Sequence, residues 1–213
     1  MLGALLVLQG ALGHDHDVYK DAYLVEVRTG PRQYFSNSPS GPKGAAYVLP
    51  GDMLIANDRK GAHTYAEFVN RQGTRTGGWI PTSALLRRTS QPASNWLGVW
   101  GSPYQRIEIK RGRRAGFLRI AGEARWWYGN LSGYNWGEFQ ARVRSRVVTL
   151  AFSVDPGADG EIDARAYDDA EFVCRLKLRA LGPYLLVHEH DTSACGGNNV
   201  SFDGVYRRMG SAF

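Results

Sequence analysis

No stretch of this chain is long and apolar enough to cross a bilayer as a helix. The most apolar run, Met1 to Gly13, stops short of the ~20 residues that a spanning helix needs. Helix-forming composition is thin too: methionine is scarce, at three residues, and runs of Leu, Ala, Glu and Lys are missing. The charge, +6 overall, is not gathered anywhere. Residues 1–94 carry ten Lys/Arg against seven Asp/Glu, and residues 95–213 carry sixteen against thirteen. So even a spread does not make the concentrated basic face of a nucleic-acid-binding protein. It suits an anionic envelope polymer or an acidic partner surface. Cysteine is limited to two residues, Cys174 and Cys195, which is the count for one bridge and no more.

What the chain has in quantity is aromatic residues and glycine: 11 Tyr, 6 Trp, 8 Phe and 26 Gly. That bias favours strands and tight turns. Met1 to Gly13, with small residues at Ala11 and Gly13, has the pattern of a secretory signal peptide, although its basic leading segment is missing. An apolar N-terminal strand is the other reading. No cysteine lies near the end of the run, so a bacterial lipid anchor is excluded. Export to the periplasm or beyond would place the chain in an oxidising compartment. A disulfide between Cys174 and Cys195 is expected there. His14-Asp15-His16-Asp17, next in line, reads as a solvated tail, or as a copper or nickel grip if cleavage frees an amine beside it.

From Tyr19 onward, short apolar runs alternate with turn residues. Ala22 to Val27, Ala45 to Leu49, Met53 to Ala56 and Tyr65 to Val69 read as strands of a small β-barrel. YFSNSP, AAYVLPGDML, GGWIP and SALL resemble the successive motifs of a bacterial SH3-like domain over about residues 18–88. The resemblance implies binding of wall peptides or protein partners, without catalysis, through groove aromatics at Tyr34, Phe35, Tyr65 and Trp79. The competing reading puts Phe35 and Trp79 in the barrel core. The middle strand departs from the family, with Tyr65-Ala66-Glu67-Phe68-Val69 where a tryptophan is usual.

The polar stretch Arg87 to Ser94 marks a boundary, and five of the six tryptophans lie beyond it. Residues 95–210 read as an antiparallel β-barrel or sandwich of roughly seven to nine strands, so the fold class is all-β. WLGVW, GEARWW and the segment from Cys195 to Arg208 are similar to a β domain of bacterial lysozyme-inhibitor-like envelope proteins. Exposed aromatics and arginines are the candidate contacts here. Trp126, Trp127 and Tyr128 precede a glycine loop, Gly129 to Gly137, that carries Tyr134 and Trp136. Arg142, Arg144 and Arg146 share one strand face, near the basic turn Lys110 to Arg114. That row suits an anionic partner, or is an ordinary solvated face.

Three chemical sites are weighed and set aside. Cys195 lies near His188, His190 and Asn198, but a nucleophilic cysteine needs a positioned base and usually a helix start. His188 and His190 share a strand side, and zinc would need further ligands, so a solvated strand end is preferred. Asp155 to Asp163 echoes a calcium loop, but Ala166 stands where the closing glutamate belongs, which leaves a turn. No cofactor, metal or catalytic residue is assigned. The expected role is a non-catalytic periplasmic or secreted protein, an inhibitor or immunity-type partner of a cell-wall hydrolase or secreted effector. Peptidoglycan binding is the alternative, and a cysteine hydrolase of the wall a further one.

Overall fold

The computed structural model describes residues 19–89, 96–102, 104–127, 134–146, 149–154, 162–164, 173–190 and 194–209. The expected signal segment, the histidine tail, Tyr128 and most of the calcium-loop echo lie outside them. The described chain is all-β, with one 3-10 turn at Thr82–Ala84 as its only helical element.

The first sheet has seven strands: β1 Tyr23–Val27, β2 Gln33–Ser36, β3 Lys43–Val48, β4 Met53–Lys60, β5 His63–Val69, β6 Arg75–Pro81 and β7 Leu85–Arg87. Their order is β3-β2-β6-β5-β4-β1-β7. All seven send at least one residue into a single core, from Val25, Phe35 and Val48 to Leu54, Ala66, Ile80 and Leu85. A sheet whose every strand reaches one apolar cluster must curl around it. Alternation in β5 sends Ala66 and Phe68 inward and leaves Tyr65, Glu67 and Val69 on the outer face.

The second sheet has nine: β8 Gly98–Gly101, β9 Gln105–Arg111, β10 Phe117–Trp127, β11 Tyr134–Arg144, β12 Thr149–Val154, β13 Ile162–Asp163, β14 Cys174–Leu181, β15 Tyr184–Glu189 and β16 Gly204–Met209. It runs β12-β14-β15-β16-β8-β9-β10-β11-β13 and is nearly closed, with β11 returning toward β12. Two expectations need correcting. The pairing is not wholly antiparallel, because β13 runs parallel to β11. Trp136 also belongs to a strand, since β11 opens at Tyr134 and pairs with β10 over eleven positions.

The core of this sheet holds Trp100, Phe139, Phe152, Phe202 and Tyr206, with Cys174 and Cys195 fully buried among them. The two sulfurs are bonded, with Cα atoms 4.4 Å apart. The bridge joins β14 to the loop between β15 and β16, so that loop is fastened to the sheet it would otherwise only lie against.

The two sheets share a third apolar cluster. Leu24, Ile55 and Val69, on the outer face of the first sheet, meet Leu181, Tyr184, Leu186 and Val205 of the second. This explains why the first four residues of β15, Tyr184 to Val187, are all buried. Leu185 and Val187 face the second sheet's own core, while Tyr184 and Leu186 face the seam. Gly182 and Pro183 form a two-residue hairpin loop, with Gly182 at φ +60°, a backbone region that glycine enters without strain. A side chain there would come within 2.8 Å of Leu24. Burial at the seam pushes the Tyr184 phenol up to about 12.

Candidate functional site

Part of the first sheet's outer face is covered by the second sheet, and the remainder carries a line of aromatic side chains. Directly paired residues on neighbouring strands point to the same side of a sheet. Tyr65 of β5 pairs with Trp79 of β6, Trp79 with Ser36 of β2, and Ser36 with Lys43 of β3. Tyr34 pairs with Tyr47 across a register shift between Tyr34 and Ser36, and Phe35 between them is buried, which leaves Tyr34 and Ser36 on the outer face. The stripe Tyr65–Trp79–Tyr34–Tyr47 thus crosses four strands. Tyr65, Trp79 and Tyr34 are half-buried, and Tyr47 is 46% exposed.

Local chemistry orients these rings. Tyr65 and Trp79 meet edge to face, with centroids 5.7 Å apart and planes at 75°. Gly77 makes room for the tyrosine: a Cβ there would stand 2.9 Å from the Tyr65 hydroxyl and 3.1 Å from Glu67 Cγ. Tyr34 and Tyr47 are tilted, with centroids 5.8 Å apart. The Arg32 guanidinium lies 4.9 Å from the Tyr47 centroid and 5.5 Å from that of Tyr34, and Lys43 Nζ is 5.9 Å from Tyr34. One end of the stripe is therefore a pair of cations held over two tyrosines.

At the other end the stripe runs into a polar trio of buried Tyr19 and Glu67 with half-exposed Arg75. The Arg75 guanidinium donates to the Tyr19 hydroxyl at 2.8 Å, and that hydroxyl donates to Glu67 Oε2 at 3.4 Å. Arg75 stands 3.8 Å from the same carboxylate. Burial raises the Glu67 carboxyl above its ordinary range, and Arg75 and the tyrosine bond offset this only in part. Between the ordinary glutamate pKa, about 4.3, and the raised folded value, the folded chain holds a proton that the unfolded chain has lost. Stability from this group is then full below the ordinary pKa and falls as pH rises through the folded one. Glu67→Gln is expected to flatten that fall and to leave stability at neutral pH equal or higher, because half-exposed Arg75 keeps both water and Tyr19. Urea titrations of both proteins at several pH values check this, and a marked loss at pH 7 would refute it.

The other sequence candidates fall elsewhere. Phe35 is a core residue, 4% exposed, and leaves the set of groove aromatics. Its neighbour Tyr34 faces outward, as alternation requires. Trp126 is half-buried against the second core. Trp127 and Tyr134 are placed as backbone in β10 and β11, where they pair with each other. Trp136 is 51% exposed, opposite Arg125. Arg142 and Arg144 do share a face of β11. Arg142 is engaged with Asp163 at 2.5 Å, and Arg144 lies 6.0 Å from the Phe117 centroid. The second-sheet residues do not converge with the stripe.

The reading of a solvated strand end at His188 is overturned. His188 is 8% and Glu189 1% exposed. Glu189 Oε2 accepts from the Phe202 amide at 2.6 Å and from Ser201 Oγ at 3.2 Å. Asp203 accepts from the Glu189 amide at 2.7 Å and stands 3.5 Å from His188 Nδ1. These side chains brace the turn before β16. Among the described residues no three His, Cys, Asp or Glu side chains are grouped to hold a metal. Cys195, as a buried half-cystine, offers no free thiolate.

Tyr47, Arg32 and the Tyr19–Glu67–Arg75 trio were not singled out from the sequence. The alternation Lys43, Ala45, Tyr47 beside Tyr34 was a signal for the first. The trio joins residues 48 and 56 positions apart and had none. No protein-family model, curated protein or solved structure matches the chain.

Proposed function

We propose that this chain is an exported, non-catalytic binding protein that docks on another protein through the Tyr65–Trp79–Tyr34–Tyr47 stripe. The observation that carries the reading is the register, which gathers four aromatic rings and two cations on the uncovered part of one sheet face. Tyrosine, tryptophan and arginine are the residues that dominate binding energy at protein interfaces. A glycan would ask for open, stackable ring faces. Here Tyr65 and Trp79 stand edge-on to each other, and Arg32 covers one side of Tyr47. A protein partner therefore fits better than the sugar strands of peptidoglycan.

The partner class follows from the resemblance of the two halves to SH3-like and lysozyme-inhibitor-like envelope domains. It is a cell-wall-degrading enzyme or a secreted effector, inhibited by steric occupation of its cleft. Like charges across an interface oppose association, so a chain of net charge +6 suits an acidic or neutral hydrolase. Export is supported by the buried disulfide, and no helix among the described residues is long and apolar enough to cross a membrane.

Activity of acidic and neutral wall hydrolases on purified sacculi, titrated with the chain, tests the reading. Dose-dependent inhibition is expected, with Trp79→Ala weakening it about tenfold. Salt-resistant retention of the chain on sacculi, without inhibition of any hydrolase, would overturn it in favour of wall binding.

A further inference from the structure

The stripe ends on a strand that has one neighbour. Among the described strands β3 pairs only with β2, and five of its six residues, Lys43 to Tyr47, are exposed in succession. The other sheet ends differ. β7 and β13 are three and two residues long, and β12 is largely buried. An edge strand with five exposed residues presents a row of backbone donors and acceptors to whatever extended chain comes beside it. We infer that β3 is a strand-addition site, and that its occupant is an extended acidic segment of the partner protein.

Charge and side-chain size both argue for that occupant. From Pro31 to Gly51 the chain carries Arg32 and Lys43 and no acidic residue. Both cations are held toward the outer face, over Tyr34 and Tyr47. An added strand would lie about 4.8 Å from β3, with alternate side chains on opposite faces. One set would stand beside Lys43, Ala45 and Tyr47, where carboxylates meet the cations. The other set would lie beside Gly44 and Ala46, which leave room for branched apolar side chains. A second copy of this chain is a poorer occupant, because it would bring a second Arg32–Lys43 pair to the first. Recognition would then divide in two: main-chain hydrogen bonds for affinity, and alternate side-chain positions for choice of partner.

This inference rests on the docking reading above and adds the manner of docking. The probe is a capped synthetic peptide of alternating glutamate and valine, compared with its lysine-for-glutamate counterpart and with a version N-methylated at alternate amides. Fluorescence anisotropy measures binding, and residue-resolved hydrogen exchange follows the β3 amides. The glutamate peptide is expected to bind saturably and to slow exchange in β3. The N-methylated peptide is expected not to bind, and the double variant Arg32→Glu/Lys43→Glu to bind about tenfold more weakly. The reversed side chains are on the surface, so folding is not at stake. Failure of the glutamate peptide to saturate, equal binding of the lysine or N-methylated peptide, or protection in the free protein of the β3 amides that face away from β2 would each overturn strand addition. So would a concentration-dependent dimer that protects β3. Hydrolase inhibition that persists and depends on Trp79 would leave the docking reading standing in all of these cases. Peptide binding without inhibition would remove that reading alone.

Discussion

Replacing Cys174 and Cys195 with alanine is expected to lower the unfolding free energy by about 3 kcal/mol. The bridge spans 21 positions, so in its absence the unfolded chain regains the freedom of a loop of that length. The folded state loses in addition the fastening of the Cys195 loop, whose Val200 and Phe202 fill the second core. Denaturant midpoints measured with and without reductant report the size of the effect. Equal midpoints would show that the bridge contributes nothing. The same burial predicts an order of events. Both sulfurs are fully covered, so a reductant must wait for the loop to open. Reduction under native conditions is then expected to follow the rate of local or global unfolding, and to be slow beside that of an exposed disulfide.

The sequence made the strand class legible because strands leave a local trace. Ile107 and Ile109 alternate with charged neighbours in β9, and Gly182-Pro183 sits between two apolar runs. The bridge was legible because two cysteines allow one pairing. The strand after the turn between β14 and β15 leaves a local trace as well: Tyr184 to Val187 is apolar without alternation. A strand in that state has both faces covered, and the second cover is the first sheet. Trp79 and Phe35 show where local reading ends. Both are aromatic residues in short strands of the same barrel. Only the register of β2, β5 and β6 sends Phe35 into the core and Trp79 to the outer face. A shift of one residue would exchange inward and outward side chains along a strand, and that register depends on partners far away in sequence.

The seam between the sheets carries the second large effect. Arg179 of β14 donates to the carbonyls of Tyr19 at 3.1 Å and Lys20 at 2.7 Å, and also to that of Ala22. A planar guanidinium can serve several acceptors at once, whereas a lysine ammonium is a single point on a flexible stem. Tyr184 donates to the Met53 carbonyl and Arg207 to that of Val69, so polar bonds frame the apolar patch of Leu24, Ile55 and Leu186. Arg179→Ala leaves carbonyls beside that patch without their donor and is expected to cost about 2 kcal/mol. Arg179→Lys keeps the charge and is expected to recover less than half of the loss. The wild-type sheets share buried surface and are expected to melt in one transition. In Arg179→Ala the first sheet, which depends on the second for cover over Leu24 and Val69, is expected to melt earlier. Calorimetry, with NMR signals of the β4 and β5 amides following the first sheet through the melt, reads both outcomes. One unshifted transition in the variant would mean that the Arg179 bonds add nothing to the join between the sheets.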